Sequence, residues 1–336
     1  MAETKDSSQE KISLELGSGG KMMRDFITEH IVANFGNPFL EPLADSAFLP
    51  GDIAFTTDSY VVMPIFFPGG DIGSLCVNGT VNDLVVAGAE PKFLSLAFIL
   101  EEGMPLDELK TILRSIRSSA EEAGVSIVTG DTKTVRRGQG DKIFINTAGI
   151  GFRVGRPDPS RIQPGDKIIL TGTLGDHSLA VMVARGEFGL ESDIRSDCAP
   201  LNYLLPFWND GTLWMRDVTR GGLATVLSEL AEKLSHAVLI DEGSVPLSDA
   251  VRGATEILGI DPLFLACEGR AVLVVPEKKA DSILQRIRNH AYGRTAAVIG
   301  EVSPSVGRAG EVLLSTLSGG LRLLEPLTSE LLPRIC

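Results

Sequence analysis

The chain has 336 residues, of which 43% are hydrophobic and only 6% aromatic, with 36 glycines and a formal net charge of −13. Its length predicts two domains, and its composition a globular α/β protein with many tight turns. The acidic balance excludes a nucleic-acid or anionic-lipid surface, since both need clustered Lys and Arg, but leaves room for a local basic pocket. No stretch supplies the ~20 apolar residues of a membrane span and the first ten residues lack an apolar signal region, so a cytoplasmic protein is expected.

Cys76, Cys198, Cys267 and Cys336 are far apart, without C-x-x-C or Cys/His grouping, which argues against a zinc site or disulfide framework and for reduced thiols. His30, His177, His236 and His290 are equally scattered, offer no Ser/His/Asp order, and are read as structural or surface residues.

Residues 1–11 are polar and charged and are expected to be disordered. The turn Gly17-Ser18-Gly19-Gly20-Lys21 then opens a helix over 22–35. Gly19, Gly20 and Lys21 could wrap phosphate oxygens with backbone N–H groups and one cation, although the P-loop spacing is absent and a ligand-free loop is the alternative. A strand is predicted over 53–63, interrupted by Asp58, and a buried helix over 73–88 carrying Asn78, Asn82 and Asp83 among valines. A strand over 91–100, a helix over 105–123 and a strand over 125–128 follow, the last running into Gly130-Asp131-Thr132-Lys133. That places Asp131 just past a strand end, where α/β folds locate chemistry. A strand over 143–152 closes the first half.

The charged, Pro-rich stretch 153–163 marks a domain boundary, giving expected domains over 12–155 and 156–325 and a mobile tail over 326–336. The second half predicts strands at 167–171, 237–240, 271–275 and 295–302 and helices at 177–185, 223–234 and 278–290. Asp217, in Asp217-Val218-Thr219-Arg220-Gly221-Gly222, reads as a helix start, and Glu268 precedes an apolar strand.

Asp45, Asp58, Asp83 and Asp131 each lie at or near the end of an apolar element, and Asp58 and Asp83 fall inside segments that need no cap. Buried carboxylates want a partner, and Mg2+ prefers oxygen ligands shared with substrate phosphates, so a Mg-nucleotide site is predicted. Cys336 closes the segment Leu331-Leu332-Pro333-Arg334-Ile335-Cys336, where Pro333 stiffens the chain and Arg334 sets a cation near a soft nucleophile. A neighbouring terminal carboxylate disfavours its thiolate, so a partner must load it.

The segments Thr56–Val62, Phe66–Gly73, Asn78–Leu84, Gly130–Lys133, Asp217–Leu223 and Pro333–Cys336 resemble the HypE family of hydrogenase maturation proteins, the carbamoyl dehydratases. That family lies within the PurM-like superfamily related to aminoimidazole ribonucleotide synthetase. The resemblance covers nearly everything after Ile12. It implies an α/β and α+β two-domain fold: a PurM-like N-terminal α/β domain followed by a PurM-like C-terminal α+β domain, as a homodimer. It also implies ATP and Mg2+ as cofactors, metal ligation by Asp45, Asp58, Asp83 and Asp131, and a second-domain contribution from Asp217. Ala44 stands where many relatives carry a further acid. Candidate nucleotide contacts are Gly19, Gly20, Lys21, Asp58, Asn82, Asp83, Asp131, Thr132 and Asp217.

The resemblance further implies that Cys336, Lys133 and Glu268 are catalytic: Cys336 is carbamoylated by HypF and its thiocarbamate dehydrated to a thiocyanate destined for the hydrogenase iron through HypC–HypD. Lys133 would stabilise phosphate or act as base, and Glu268 would remove the carbamoyl protons. Another superfamily ATP enzyme would leave Cys336 unexplained. A non-catalytic carrier, with nucleotide switching the tail, is the alternative from a different class.

Overall fold

The computed structural model describes residues 12–17, 20–303, 305–327, 332 and 334–336. The stretch over 1–11 expected to be disordered, and Gly19 and Pro333, lie outside the described residues. Helix α1 (Lys21–Phe26) runs through a π-helical stretch, Ile27–Val32, to Phe35. Five strands then build the first sheet: β1 (Ala47–Leu49), β2 (Ile53–Tyr60), β3 (Ala89–Glu101), β4 (Ser126–Val135) and β5 (Ile143–Arg153), in the order β1-β2-β5-β3-β4. All pairs are antiparallel except β3 with β4. Helices α2 (Ile72–Val86) and α3 (Leu106–Ala123) cover one face. In α3 the buried residues Ile112, Ile116, Ala120 and Ala123 recur every three or four positions, as an amphipathic helix requires.

Pleat alternation decides which side chains of this sheet reach the interior. On β2, Ala54, Thr56 and Tyr60 are buried while Phe55, Thr57 and Ser59 face out. Phe55 pairs with Ile150 and Ile150 with Phe93, so three apolar side chains form a row on the uncovered face. β4 is longer than the strand expected over 125–128. Its β-branched Thr129, Thr132 and Thr134 prolong the pairing with β3 as far as Val135. Asp131 is therefore a mid-strand residue, in register with Ala97, on an exposed sheet edge.

The second sheet has seven strands: β6 (Lys167–Leu170), β7 (Trp214–Asp217), β8 (Val238–Asp241), β9 (Ala271–Val275), β10 (Ala297–Val302), β11 (Val312–Ser315) and β12 (Leu321–Leu323), in the order β12-β11-β8-β10-β6-β9-β7. Only β8 and β11 run parallel. Ile168, Leu170, Val272 and Val274 pack with Leu223, Leu227 and Leu230 of α5 (Gly222–Ala231), which follows α4 (Asp176–Arg185) in the chain. The alternate residues Ile169, Leu273 and Val275 pack with Ile283 and Ile287 of α7 (Glu277–Arg288). Helix α6 (Asp249–Leu258) and strands β7, β11 and β12 were not anticipated; Asp217 ends a strand, and the helix behind it begins at Gly222, next to its expected start.

The two domains share one core. Helix α2 is apolar on every side and nearly all of it is buried. Its first turn is closed by a capping box, with Asp71 accepting from Gly73 N at 2.7 Å and Ser74 N at 3.0 Å. Cys76, Val77, Val81 and Val85 join one cluster with Leu201, Leu204, Phe207 and Trp208, and Trp208 Nε1–H donates to Val85 O at 2.9 Å. Asn82 donates to Ala199 O at 3.1 Å and Glu268 O at 3.2 Å, and accepts from Leu201 N at 2.8 Å. A helix buried on all sides thus locks two sheets into one geometry and sets Asp83 and Glu268 on either side of their junction. Among the described residues no helix is long and apolar enough to cross a membrane.

Candidate active site

A cavity of about 470 Å3 opens at that junction. Asp83 enters it from α2, Asp45 from the loop before β1, and Asp217 from the end of β7. One ligand oxygen from each lies within 4.8 Å of the other two. Among the described residues the only salt-bridging cation beside this group is Arg216, whose Nε is 2.8 Å from Asp45 and whose second branch reaches Glu229 at 3.3 Å. Thr56 Oγ1 lies 2.9 Å from Asp83 Oδ2.

Burial pushes the carboxyls of Asp45, Asp83 and Asp217 up, and the neighbouring anions push Asp83 and Asp217 further. Asp217 reaches about 7, with burial the larger cause, the Asp45 charge the next and Arg216 opposing both. Three converging oxygens with one shared guanidinium leave negative charge that a hard divalent cation would neutralise, so the donor set fits Mg2+. Asp58 points into the same cavity from β2, accepts from Ser59 N at 2.7 Å, and has its carboxyl raised by burial against the pull of Arg220. It stands outside the three-carboxylate group.

Cys336 lines this cavity too. Its approach is built from backbone: Val61 N donates to the Cys336 main-chain oxygen at 3.3 Å and Met63 N to Arg334 O at 3.2 Å, so the tail lies alongside the continuation of β2. Arg334 Nε donates to Val61 O at 3.0 Å and its guanidinium pairs with Asp141. Ile335 is buried, and its carbonyl lies 2.9 Å from His177 Nε2. Burial pushes the Cys336 thiol up to about 12 despite Arg220, so in this pose it is the neutral thiol. Arg220, at the rim, has Cys336 as its strongest electrostatic partner and also faces Asp58 and Glu268.

Glu268 is 3% exposed, lines the cavity, and its Oε1 has no hydrogen-bond partner among the described residues. Its backbone N donates to Asp197 Oδ1 at 3.2 Å. Burial, then the charges of Asp217, Asp197 and Asp58, raise its carboxyl well above the ordinary range. Once ionised, such a carboxylate is a strong base.

The fold thus gathers Asp45, Asp58, Asp83, Asp217, Glu268 and Cys336 around one space, with Gly20 at its edge. Lys21 is exposed and pairs with Asp25 at 2.5 Å. Asn82 spends its amide on the domain junction. Asp131, Thr132 and Lys133 are exposed on β4, with Lys133 Nζ 2.9 Å from Asp131, and in this chain they do not line the cavity. Asp131 and Asp58 sit on opposite faces of the sheet: Asp131 aligns with Ala97 and Asn146, whereas Asp58 faces Thr147. Sequence reasoning passed over Arg216, Arg220 and Tyr60, all of which line the cavity, and read the fully buried His177 as structural. Their only sequence signal was position, within or beside motifs already singled out.

Residues 44–153 match the family of AIR synthase related proteins, N-terminal domain, and residues 163–312 the corresponding C-terminal domain. The carbamoyl dehydratase HypE of Rhodobacter capsulatus is 47% identical, over 97% of this chain and 98% of that protein; that of Escherichia coli (strain K12) is 43% identical, over 97% and 99%. Among solved structures, a HypE in complex with ATP superposes with a TM-score of 0.81 at 45% identity, covering 97% of this chain and all of that one. A HypE–HypF complex gives a TM-score of 0.84 at 42% identity, over 90% and 99%. A thiamine monophosphate kinase, 16% identical with a TM-score of 0.68, shares the fold alone. The chain belongs to the HypE carbamoyl dehydratases, hydrogenase maturation enzymes built on the two AIR synthase related domains.

Proposed function

We propose that the chain dehydrates an S-carbamoyl group on its own Cys336 to an S-cyano group, consuming ATP, as the source of the cyanide ligand of [NiFe]-hydrogenase iron. The observation that carries this reading is that Cys336, Glu268 and the Asp45–Asp83–Asp217 group share one cavity. The thiocarbamate oxygen attacks the γ-phosphorus of ATP, ADP leaves, and the carbonyl oxygen becomes a phosphate ester. Loss of the two nitrogen protons, one to Glu268 and one to the departing phosphate, then forms C≡N as the C–O bond breaks and inorganic phosphate leaves. Overall, thiocarbamate and ATP give thiocyanate, ADP and phosphate.

Asp45, Asp83 and Asp217, with Asp58 beside them, would hold Mg2+, which when bound neutralises phosphate charge. Arg220 faces the docked sulfur and would offset negative charge developing on the phosphorylated oxygen of the group that sulfur carries. Glu268, buried and unpartnered at Oε1, takes a proton from the carbamoyl nitrogen. The solved HypE complexes with ATP and with HypF support ATP as the phosphoryl donor and HypF as the protein that loads Cys336. In this proposal HypC–HypD receives the cyano group.

We assign Asp131 and Lys133 to the site of a second copy. They lie on the sheet face opposite Asp58, the face that also leaves Phe55, Phe93, Ile150 and Phe152 exposed. Pairing two such faces buries the apolar row and brings each β4 edge towards the other copy, where Lys133 adds the phosphate-binding cation. Ile150→Lys should shift the chain from dimer to monomer in sedimentation and remove ATP turnover. A dimer with full turnover would withdraw this assignment of Asp131 and Lys133.

Glu268→Gln should bind ATP within about threefold of the parent while dehydration of a loaded Cys336 slows by about 100-fold or more, as loss of a positioned base predicts. Unchanged single-turnover dehydration would remove Glu268 from the mechanism.

The raised carboxyls also set a pH dependence. With Asp217 near 7 and Asp45 and Asp83 raised, the folded chain binds more protons than the unfolded chain above the ordinary carboxylate range. Without metal, stability therefore falls as pH rises through that window to about 7. Metal must displace the protons, so Mg2+ affinity should weaken by about tenfold per pH unit below 7, as for release of one proton per ion bound. Mg2+ titrations at pH 6, 7 and 8 check this, and a pH-independent affinity contradicts it.

A further inference from the structure

His177 is a buried titratable group that the chemistry above leaves unused. It stands in the first turn of α4, fully buried, edge-on to the Phe67 ring with centroids 5.2 Å apart. Its Nδ1 lies 2.8 Å from Ser196 Oγ, and its Nε2 2.9 Å from Ile335 O. A carbonyl accepts only, so Nε2 must carry the proton, and Nδ1, as the ring's lone-pair nitrogen, accepts from the Ser196 hydroxyl. That hydroxyl in turn accepts from Cys198 N at 3.0 Å, while Ser196 N donates to Pro68 O at 2.8 Å in the first domain. The tautomer is therefore set by a chain of donors anchored in both domains. Burial lowers the His177 pKa, which keeps the ring neutral and this tautomer populated.

The far end of the same helix holds the neighbouring carbonyl. Arg185, the last residue of α4, donates through Nη2 to Arg334 O at 2.6 Å and through Nε to Met63 O at 2.5 Å. One helix thus grips two successive peptide carbonyls, and neither contact involves the Cys336 side chain.

We propose that His177 is a positioning residue that latches the tail: its Nε2–H holds the Ile335 carbonyl and so sets how much of the time Cys336 occupies the active cavity. The inference rests on the dehydratase reading for its purpose but not for its test. The latch reads backbone one residue before the sulfur, so it holds a free, carbamoylated or cyanated Cys336 alike. Its strength governs the division of time between docking for dehydration and release to the proteins that load and unload the thiol. Weakening it should slow dehydration and leave loading as fast or faster, opposite responses that a general structural defect would not produce.

The direct test is pulse alkylation of the full chain with iodoacetamide, each cysteine followed by peptide mass spectrometry. In His177→Ala, Cys336 should react about three- to tenfold faster than in the parent, the range expected for one net hydrogen bond. Cys76 and Cys267, both buried, report whether the fold survives and should stay protected. His177→Gln places a donor near the Nε2 position and should restore Cys336 protection to within about twofold, a residual well inside one net hydrogen bond. Cys336 reacting at the parental rate in His177→Ala, with Cys76 and Cys267 protected, overturns the latch. If His177→Ala exposes Cys76 and Cys267, the ring nitrogen shifts of His177 decide: deleting residues 332–336 should move the Nε2 resonance, and an unmoved resonance overturns the proposal. Alkylation and ring shifts need no ATP or loaded thiol. A parent chain that shows the latch but does not dehydrate would therefore refute the chemistry alone, and the converse result the latch alone.

Discussion

The structure depends on charge taken out of water at a domain junction. Asp45, Asp83 and Asp217 come from three elements, and among the described residues only Arg216, itself shared with Glu229, answers the group with a salt bridge, at Asp45. Each buried carboxylate without a matched cation costs stability, so the group persists only because a larger apolar surface holds its carriers in place. That surface is α2, buried on every side between two sheets and tied to the second domain through Trp208 and Asn82. The stability cost of the site is thus carried by the packing of one helix, and the proposed affinity for Mg2+ rests on the same uncompensated charge.

The tail exploits this arrangement. Cys336 approaches along the extension of β2, the strand that carries Asp58 and Tyr60 into the cavity, and the pairing is mostly backbone to backbone. Backbone pairing is indifferent to what the thiol carries, as the proposed loading and dehydration of this sulfur require. Burial raises the thiol, so a docked Cys336 is a poor nucleophile, which fits the proposal that it is loaded outside the cavity. Glu268, held through its backbone by Asn82 and Asp197 while its Oε1 stays free, waits at the other side of the same space.

Much of this was legible in the sequence, for definite reasons. Period-3.6 patterns located α3 and α7, and β-branched runs located β2, β5 and β9, because α3, α7, β2 and β5 each bury one face and β9 buries both. Asp83 stood out as a charge inside an apolar helix. Asp217 looked like a cap because a strand of four residues, Trp214–Asp217, leaves too short a pattern to announce itself. Asp131 was placed at a strand end, but threonines continue a strand as readily as valines, so it lies mid-strand on the other sheet face. Nothing local could show that Asp131 and Lys133 face away from Asp58, because the register of three strands decides it. His177 was invisible as a tail contact because its partner lies 158 positions away and offers only a carbonyl.

The central claim is that dehydration occurs on Cys336 within this cavity, and the mass of the peptide that carries it tests this most directly. The chain is mixed with HypF, carbamoyl phosphate and Mg-ATP, with Cys336→Ala as control. The account predicts a carbamoyl adduct that loses one water in step with ATP consumed by this chain. An adduct that persists while ATP stays bound would contradict it, leaving a nucleotide-switched carrier and withdrawing the roles given to Glu268 and Lys133.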